Sequence, residues 1–287
     1  MQKDLAADGP PEPDFHWPVL RDIGVSAPLR WVNRGFHNML AAPVASLFYG
    51  CVLATMGYLL THFYGGAVGL ALTTGFLLIG PFFAVGLYDI SRQLEHHESA
   101  SLVVTLSVWR ENLPAIGFYA LILMLSLAAW MRVSVVLIAL FIPSGVESWS
   151  DLIKALMRTP DAWVFTLVYM TVGAALVAFS FASSAVALPL LRDHPNADAI
   201  SAMIISFQVI RRNPRPLLLW ALIIVAMTAA GFITWFVGLV VTVPLIGHAT
   251  WHAYRDTLAF SAKATHKDIE GHNTVTESNS TMGQDHG

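Results

Sequence analysis

Four long stretches of this chain run almost without a charged residue, and they constrain the fold more than any other feature. They are residues 41–90, 113–143, 162–191 and 216–253. A helix needs about 20 apolar residues to cross about 30 Å of hydrocarbon. Each stretch is long enough for at least one crossing. The sequence therefore predicts an all-α, polytopic bundle of membrane-spanning helices.

The composition supports this interpretation. Hydrophobic residues make up 55% of the chain and charged residues only 12%, with a mean hydropathy of +0.60. A soluble fold would have to bury all four apolar stretches within 31.3 kDa. The single cysteine, Cys51, excludes an intrachain disulfide, and we expect it to be a buried structural thiol.

The first apolar stretch is too long for one crossing. It is interrupted by the pair Gly65-Gly66. We expect two helices here, residues 42–63 and 67–90, joined by a tight turn.

The other three stretches bring the predicted total to about six spans. Residues 113–143 and 162–191 hold roughly 30 residues each, or about 45 Å of helix, which a single tilted helix accommodates. A hairpin in either stretch is the alternative. Residues 216–253 contain Gly231 and Gly238 near their middle and predict two short helices.

The distribution of basic residues predicts the orientation. If the N-terminus is inside, thirteen of the sixteen Lys and Arg residues lie on the cytoplasmic side, and the exceptions are Arg132, Lys154 and Arg158. This predicts a multi-pass protein of the bacterial inner (plasma) membrane with both termini in the cytoplasm.

Three regions follow from this arrangement. Residues 28–258 form the expected transmembrane domain. Residues 1–27 are acidic and rich in proline, and residues 259–287 are polar. We expect both to be flexible cytoplasmic tails.

A weak repeat precedes four of the predicted spans. Each of these spans follows a short amphipathic segment and has a proline near its start: Pro43, Pro114, Pro160 and Pro214. We expect the segments to be short amphipathic helices that lie in the membrane interface. They could sense lipid or dock partners, or they could simply orient the bundle.

The second and last spans share a spacing pattern. An aromatic residue follows a proline by seven positions and an arginine follows it by eleven: Pro81, Tyr88 and Arg92, and Pro244, Trp251 and Arg255. Such a pair could reflect an internal duplication or chance.

The main candidate site lies near the end of the last span. His248 and His252 are four residues apart, so a helix places them on one face. That spacing can bind a transition metal or a haem iron, although further ligands are needed. It can also form a polar network between helices, or anchor the helix in the interface beside Trp251, Arg255 and Asp256.

Other polar residues near the spans are also candidates. Arg132 is predicted to reach the outer interface, or to line a polar pathway with His62 or Glu147. Asp89 and Arg92 are predicted to form a solvated ion pair within one helix.

Three motifs suggest a family. Residues 46–50 (SLFYG), 80–95 (GPFFAVGLYDISRQLE) and 244–256 (PLIGHATWHAYRD) together resemble uncharacterised bacterial integral membrane proteins, catalogued as a domain of unknown function. The resemblance would cover about residues 29–258. Some members are labelled cytochrome c oxidase subunit I, which implies an association with a haem–copper oxidase.

The catalytic oxidase subunit, however, has twelve helices and six metal-binding histidines. Here the histidines within or capping spans are His62, His248 and His252. The resemblance therefore does not extend to oxidase catalysis.

Three functions follow as hypotheses. The preferred one is a non-enzymatic accessory or assembly component of a membrane complex, with the lipid bilayer and membrane proteins, such as a respiratory complex, as partners. The alternatives are a small-solute transporter or channel, and a haem- or metal-binding protein linked to respiration. No interaction with nucleic acid is expected.

Overall fold

A computed structural model describes residues 17–142 and 146–260 of the chain. These ranges are almost wholly helical, which confirms the predicted all-α membrane bundle. Most of both predicted tails lies outside the described residues. The helices are α1 (Ala27–Ala41), α2 (Pro43–Phe63), α3 (Gly66–Glu95), α4 (Leu102–Thr105), α5 (Leu113–Phe141), α6 (Trp149–Arg158), α7 (Ala162–Ser184), α8 (Ala187–Asp193), α9 (Ala199–Arg212), α10 (Pro214–Ile233) and α11 (Leu239–Thr257).

Five segments of the described chain are long and apolar enough to cross a membrane. They are α2, α3, α5, α7 together with α8, and α10. The sixth predicted span corresponds to α11, which is a helix of 19 residues. Its first half is apolar, but its second half carries His248, His252, Arg255 and Asp256, and these lower its mean hydropathy.

The two ends of the described chain meet. Strand β1 (Val19–Leu20) pairs antiparallel with strand β2 (Leu258–Ala259), directly after α11. Both ends therefore lie at the same end of the bundle. Helix α11 returns the chain to that end, although it is not one of the five apolar segments. We refer below to the end that carries β1 and β2 as the strand end.

The segment before α1 is attached to the bundle, although it falls within the predicted N-terminal tail. Asp22 accepts two hydrogen bonds from the Arg212 guanidinium, both of 2.8 Å. The Ile23 amide donates to Asn213 Oδ1 at 2.9 Å. These contacts hold the chain against the junction between α9 and α10.

The two middle stretches behave differently. Residues 113–143 form one long helix, α5, as predicted. The single helix expected for residues 162–191 is interrupted between α7 and α8. The interruption has a clear cause, since Pro189 has no amide hydrogen and its ring excludes a regular helical position for the carbonyl four residues earlier.

The predicted repeat of amphipathic helix and span is present in the fold. Helices α1, α6 and α9 precede α2, α7 and α10. Between α3 and α5, only the four-residue α4 and a 3-10 turn at Val108–Arg110 form. Prolines occupy the first turn of α2, α5 and α10, where a missing amide hydrogen costs no helical bond.

Helix α11 packs against α1, α2, α3 and α10. Small residues permit the closest approaches. Gly50 of α2 lies against the backbone carbonyl of Val240, and Gly35 of α1 faces Ala249, where an added Cβ would lie 2.7 Å from the amide nitrogen. Glycine at these positions lets the helix backbones pack in direct contact.

We predict that Gly50→Ala destabilises the bundle by about 1–3 kcal/mol, because the new methyl group would overlap the Val240 backbone, which cannot move as a side chain can. The measurement is reversible unfolding in mixed detergent micelles. Gly117→Ala is the control, since an added Cβ there meets open space. Equal stability of the two variants would contradict the proposed contact.

Candidate functional site

Charged side chains from four helices gather at the strand end of the bundle. One group of contacts centres on Asp89 of α3, which is fully buried. Its carboxylate accepts hydrogen bonds from Arg192 Nε at 2.8 Å and from Gln93 Nε2 at 2.7 Å. Arg192, on α8, also donates to Glu111 at 2.7 Å. This buried pair joins α3 to α8.

The predicted ion pair between Asp89 and Arg92 is therefore wrong. Asp89 faces the interior and pairs with Arg192, whereas Arg92 pairs with Asp193, with 3.4 Å between Nε and Oδ1. The two residues are three positions apart, but their side chains reach different carboxylates. Asp89 is buried against Arg192 of α8. This pair was not predicted, because α7 and α8 were expected to form one helix.

A second group of contacts centres on Asp193, at the end of α8. Besides Arg92 of α3, its carboxylate pairs with Arg255 of α11, at 3.3 Å from Nη1. It also accepts a hydrogen bond from the Tyr254 hydroxyl at 2.7 Å. Arg92 and Arg255 are the arginines of the repeated Pro81 and Pro244 patterns. The two related patterns thus meet at one carboxylate.

Trp251 and Asp256 of α11 form further links. Trp251 is buried and donates its indole N–H to Glu95 of α3 at 2.9 Å, and Glu95 also pairs with Arg255 at 2.8 Å. Asp256 accepts hydrogen bonds from Trp31 at 2.8 Å and Arg34 at 3.1 Å, both on α1. These contacts join α11 to α3 and to α1.

The candidate histidines have separate surroundings. His248 is fully buried, and its ring nitrogens are hydrogen-bonded to the hydroxyls of Ser46 at 2.8 Å and Ser91 at 2.7 Å. Because neutral imidazole has one donor and one acceptor nitrogen, one serine donates and the other accepts. His252 is half-buried, and its Nε2 has no hydrogen-bond partner among the described residues.

This geometry favours the polar network between helices for His248. Both of its ring nitrogens are occupied, so binding a metal would require breaking a serine contact. In the described part of the chain, no three His, Cys, Asp or Glu side chains form a group that could hold a metal ion.

The remaining predicted candidates lie away from this end. Arg132 is exposed on α5. His62 is exposed near the opposite end of the bundle and stacks on Tyr58, with 5.6 Å between ring centroids. Cys51, expected to be buried, is exposed on α2.

Ionisable groups outside the spans respond to local contacts. The hydrogen bond from Arg212 lowers the pKa of Asp22. A side-chain hydrogen bond with Ser201 lowers the pKa of Asp198, which caps α9. Burial lowers the pKa of His194, and the nearby Asp193 carboxylate opposes that effect.

A cleft of about 320 Å³ extends from the strand end towards the middle of the bundle. Its lining comes mainly from α3, α7, α10 and α11, with Leu53 contributed by α2. Arg132, His248 and His252 do not line it. The cleft is overwhelmingly apolar, and we refer to it below as the bundle cleft.

Sequence reasoning missed several residues of the strand end: Ser46, Ser91, Glu111, Arg192 and Asp193. Arg192 was counted only among the thirteen basic residues that predict the membrane orientation. A signal was nevertheless present, because Arg192 and Asp193 directly follow an apolar stretch that contains Pro189. Ser46 and Ser91 lie within the motifs at residues 46–50 and 80–95, but neither motif indicates a contact with His248, since that contact depends on packing.

Comparison with known families covers the central part of the chain. Residues 69–193 match the family described as "Predicted integral membrane protein (DUF2189)". This match confirms the predicted resemblance to uncharacterised integral membrane proteins. The DUF2189 segment covers less of the chain than expected. It runs from the start of α3 to the end of α8 and includes Asp89, Arg192 and Asp193.

The motifs at residues 46–50 and 244–256 lie outside the DUF2189 segment. No curated protein and no solved structure matches the chain. The family description itself states a membrane location and no activity.

We predict that Asp89→Ala destabilises the protein by about 3–5 kcal/mol, because it leaves the Arg192 guanidinium buried without its nearest counterion. The control is Asp151→Ala, which removes an exposed ion pair with Lys154 and an exposed hydrogen bond from Ser148, and it should change stability by about 1 kcal/mol or less. Reversible unfolding in micelles measures both. Similar values for the two variants would contradict a buried, structural Asp89.

Proposed function

We propose that the protein is a non-enzymatic accessory or assembly component of a membrane complex. The observation that carries this proposal is the mutual pairing of the side chains best suited to chemistry. Asp89, Arg192, Asp193 and His248 each bind partners on another helix. They are occupied in holding helices together.

An enzyme needs a reactive group that is held within reach of its substrate. At the strand end, the candidate acids are bound by arginine, tryptophan or tyrosine side chains, and the buried imidazole is bound by two serines. Breaking these contacts to start a reaction would leave buried charges unpaired, which is costly. The arrangement favours a stable scaffold.

A partner helix has a suitable surface on α7. Thr171, Ala174, Ala175 and Ala178 are all exposed and recur at positions that share one helix face. The set includes the two alanines of a small-xxx-small pattern. In a bilayer such residues allow close helix packing. This face supports association with a transmembrane partner.

The proposed setting is the bacterial inner membrane, with the strand end in the cytoplasm. The excess of Lys and Arg in segments at that end supports this orientation. Both termini would then be cytoplasmic.

The alternative of a small-solute transporter or channel has less support. The residues proposed to line its route, Arg132, His248 and His252, are not in the lining of the bundle cleft. The apolar lining suits a lipid-soluble molecule better than an ion or a sugar.

A site-specific photo-crosslinking residue at position 174 or 178 tests the accessory role in native membranes. We predict a discrete protein adduct at these positions, because the small-residue face would be covered by a partner helix. Position 129 is the control, since Ala129 is also exposed, on α5. Lipid adducts alone, or the same protein adducts at position 129, would contradict the proposal.

Ala174→Leu/Ala178→Leu provides a second measurement. Larger side chains on this face should abolish the adduct formed from a probe at position 171, while the matched change Ala128→Leu/Ala129→Leu should leave it intact. Unfolding measurements on both variants separate a lost contact from a lost fold.

A further inference from the structure

The bundle cleft opens at the lipid-facing side of α10. Val225 lines the cleft and is 57% exposed, and Ala229, one turn further along, is also both exposed and part of the lining. The deeper lining comes from α3 and α11. A molecule dissolved in the bilayer could therefore enter sideways, past α10, without crossing the membrane surface.

The cleft has one apolar end and one end with hydroxyl groups. Towards the strand end, its lining includes Tyr88, Ser180, Ser184 and Thr250. Towards the opposite end, it consists of large apolar side chains, namely Leu53, Phe76, Phe232 and Leu239. On α3 the lining runs from residue 76 to residue 88, which at 1.5 Å per residue is about 18 Å. The shape and polarity match an elongated amphiphile.

Charge restricts the class of ligand. No residue in the lining is charged. The nearby arginines at the strand end, Arg92, Arg192 and Arg255, already have carboxylate partners. A phosphate or carboxylate headgroup in the cleft would therefore lack a free counterion, and a cationic headgroup would lack a free anion. The site favours a neutral polar group.

Ser180 supplies an unsatisfied hydrogen-bonding group. Its side chain is only 3% exposed, and its Oγ has no hydrogen-bond partner among the described residues. Some other hydroxyls in the spans bond to their own helix: Thr171 donates to the Leu167 carbonyl at 2.7 Å, and Ser126 donates to the Ile122 carbonyl at 2.8 Å. The hydroxyls of Thr73 and Thr242 also lack a partner among the described residues, but neither residue lines the cleft. A hydroxyl left unpaired in an apolar environment is costly. Its position in the lining indicates a partner that occupies the cleft.

Tyr88 faces the same cleft from α3. Tyr88 is buried and lines the cleft. Two hydroxyls, from Ser180 of α7 and from Tyr88 of α3, thus line one end of one apolar space. Together they could bind a hydroxyl or a carbonyl oxygen.

We propose that the bundle cleft binds one uncharged, lipid-soluble amphiphile, with its hydroxyl or carbonyl group held by Ser180 and Tyr88 and its apolar body between α7 and α10. This site does not depend on the accessory role proposed above. Binding involves no covalent step. The ligand class follows from the neutral lining, the unpaired Ser180 hydroxyl with the Tyr88 hydroxyl beside it in the lining, and the lateral opening.

Photolabelling in nanodiscs tests the proposal, with a diazirine-bearing hexadecanol as the probe. We expect saturable labelling of peptides from α3, α7, α10 or α11 that unlabelled hexadecanol and a long-chain methyl ketone both reduce. Probes with the same chain but a phosphate or trimethylammonium group should label these peptides at least about tenfold less at equal concentration.

Gly80→Leu is the decisive variant, since an added Cβ at Gly80 meets open space and the larger side chain would fill the cleft. It should abolish saturable labelling. Gly117→Leu is the matched control, because Gly117 also has open space and lies outside the cleft. The double variant Ser180→Ala/Tyr88→Phe should weaken labelling about tenfold, whereas Ser126→Ala should not change it.

Three results would overturn the proposal: equal labelling of the Gly80→Leu and Gly117→Leu proteins, equal labelling by charged and neutral probes, or no saturable labelling of the cleft peptides. Unfolding midpoints of all variants identify any that fail to fold. If Gly80→Leu does not fold, the smaller Gly80→Val and the double hydroxyl variant carry the test. Loss of labelling would leave the photo-crosslinks from α7 unaffected, so the two proposals fail separately.

Discussion

The fold depends on one shared carboxylate at the strand end. Asp193, at the end of α8, binds Arg92 of α3 and Arg255 of α11, and it accepts a hydrogen bond from Tyr254. Residues far apart in sequence are therefore held at a single point. Beside it, the buried pair of Asp89 and Arg192 joins α3 to α8 a second time. Replacing such a buried pair with apolar residues is often tolerated, but removing one partner is costly. At the strand end these charged side chains have defined partners, so a single substitution among them should lower the stability of the fold.

The same helices also form the cleft. Helices α3 and α11 carry the related proline patterns, end at the shared carboxylate, and contribute much of the cleft lining. The polar contacts lie at the strand end, and the apolar space extends from it towards the middle of the bundle. Because the polar contacts and the cleft occupy different parts of the bundle, the protein can act as a scaffold and also bind a lipid-like ligand. One end fixes the helices, while the lateral opening beside α10 is exposed to lipid.

Much of the architecture could be predicted from the sequence, because hydropathy and helix-breaking residues are local signals. The turn at Gly65-Gly66 and the division of residues 216–253 into two helices follow from them. The break before α8 could have been inferred from Pro189.

The partners of Asp89 could not be predicted from the sequence, because an ion pair between residues 89 and 192 depends on how distant helices pack. His248 was recognised as a candidate, but nothing in the sequence pairs it with Ser46 and Ser91, which bind its ring in the fold. The repeated spacing that ends at Arg92 and Arg255 was visible, and only the fold revealed that both arginines bind Asp193.

Hydrogen exchange of the Asp193→Asn protein in nanodiscs tests this account most directly. If Asp193 joins the three helices, amide exchange should increase together at the last turns of α3, α8 and α11 and at the paired strands, relative to the wild-type protein. Asp161→Asn is the control, because Asp161 is exposed at the other end of the bundle. An increase confined to α8, or no increase beyond that of the control, would contradict the central role of the shared carboxylate.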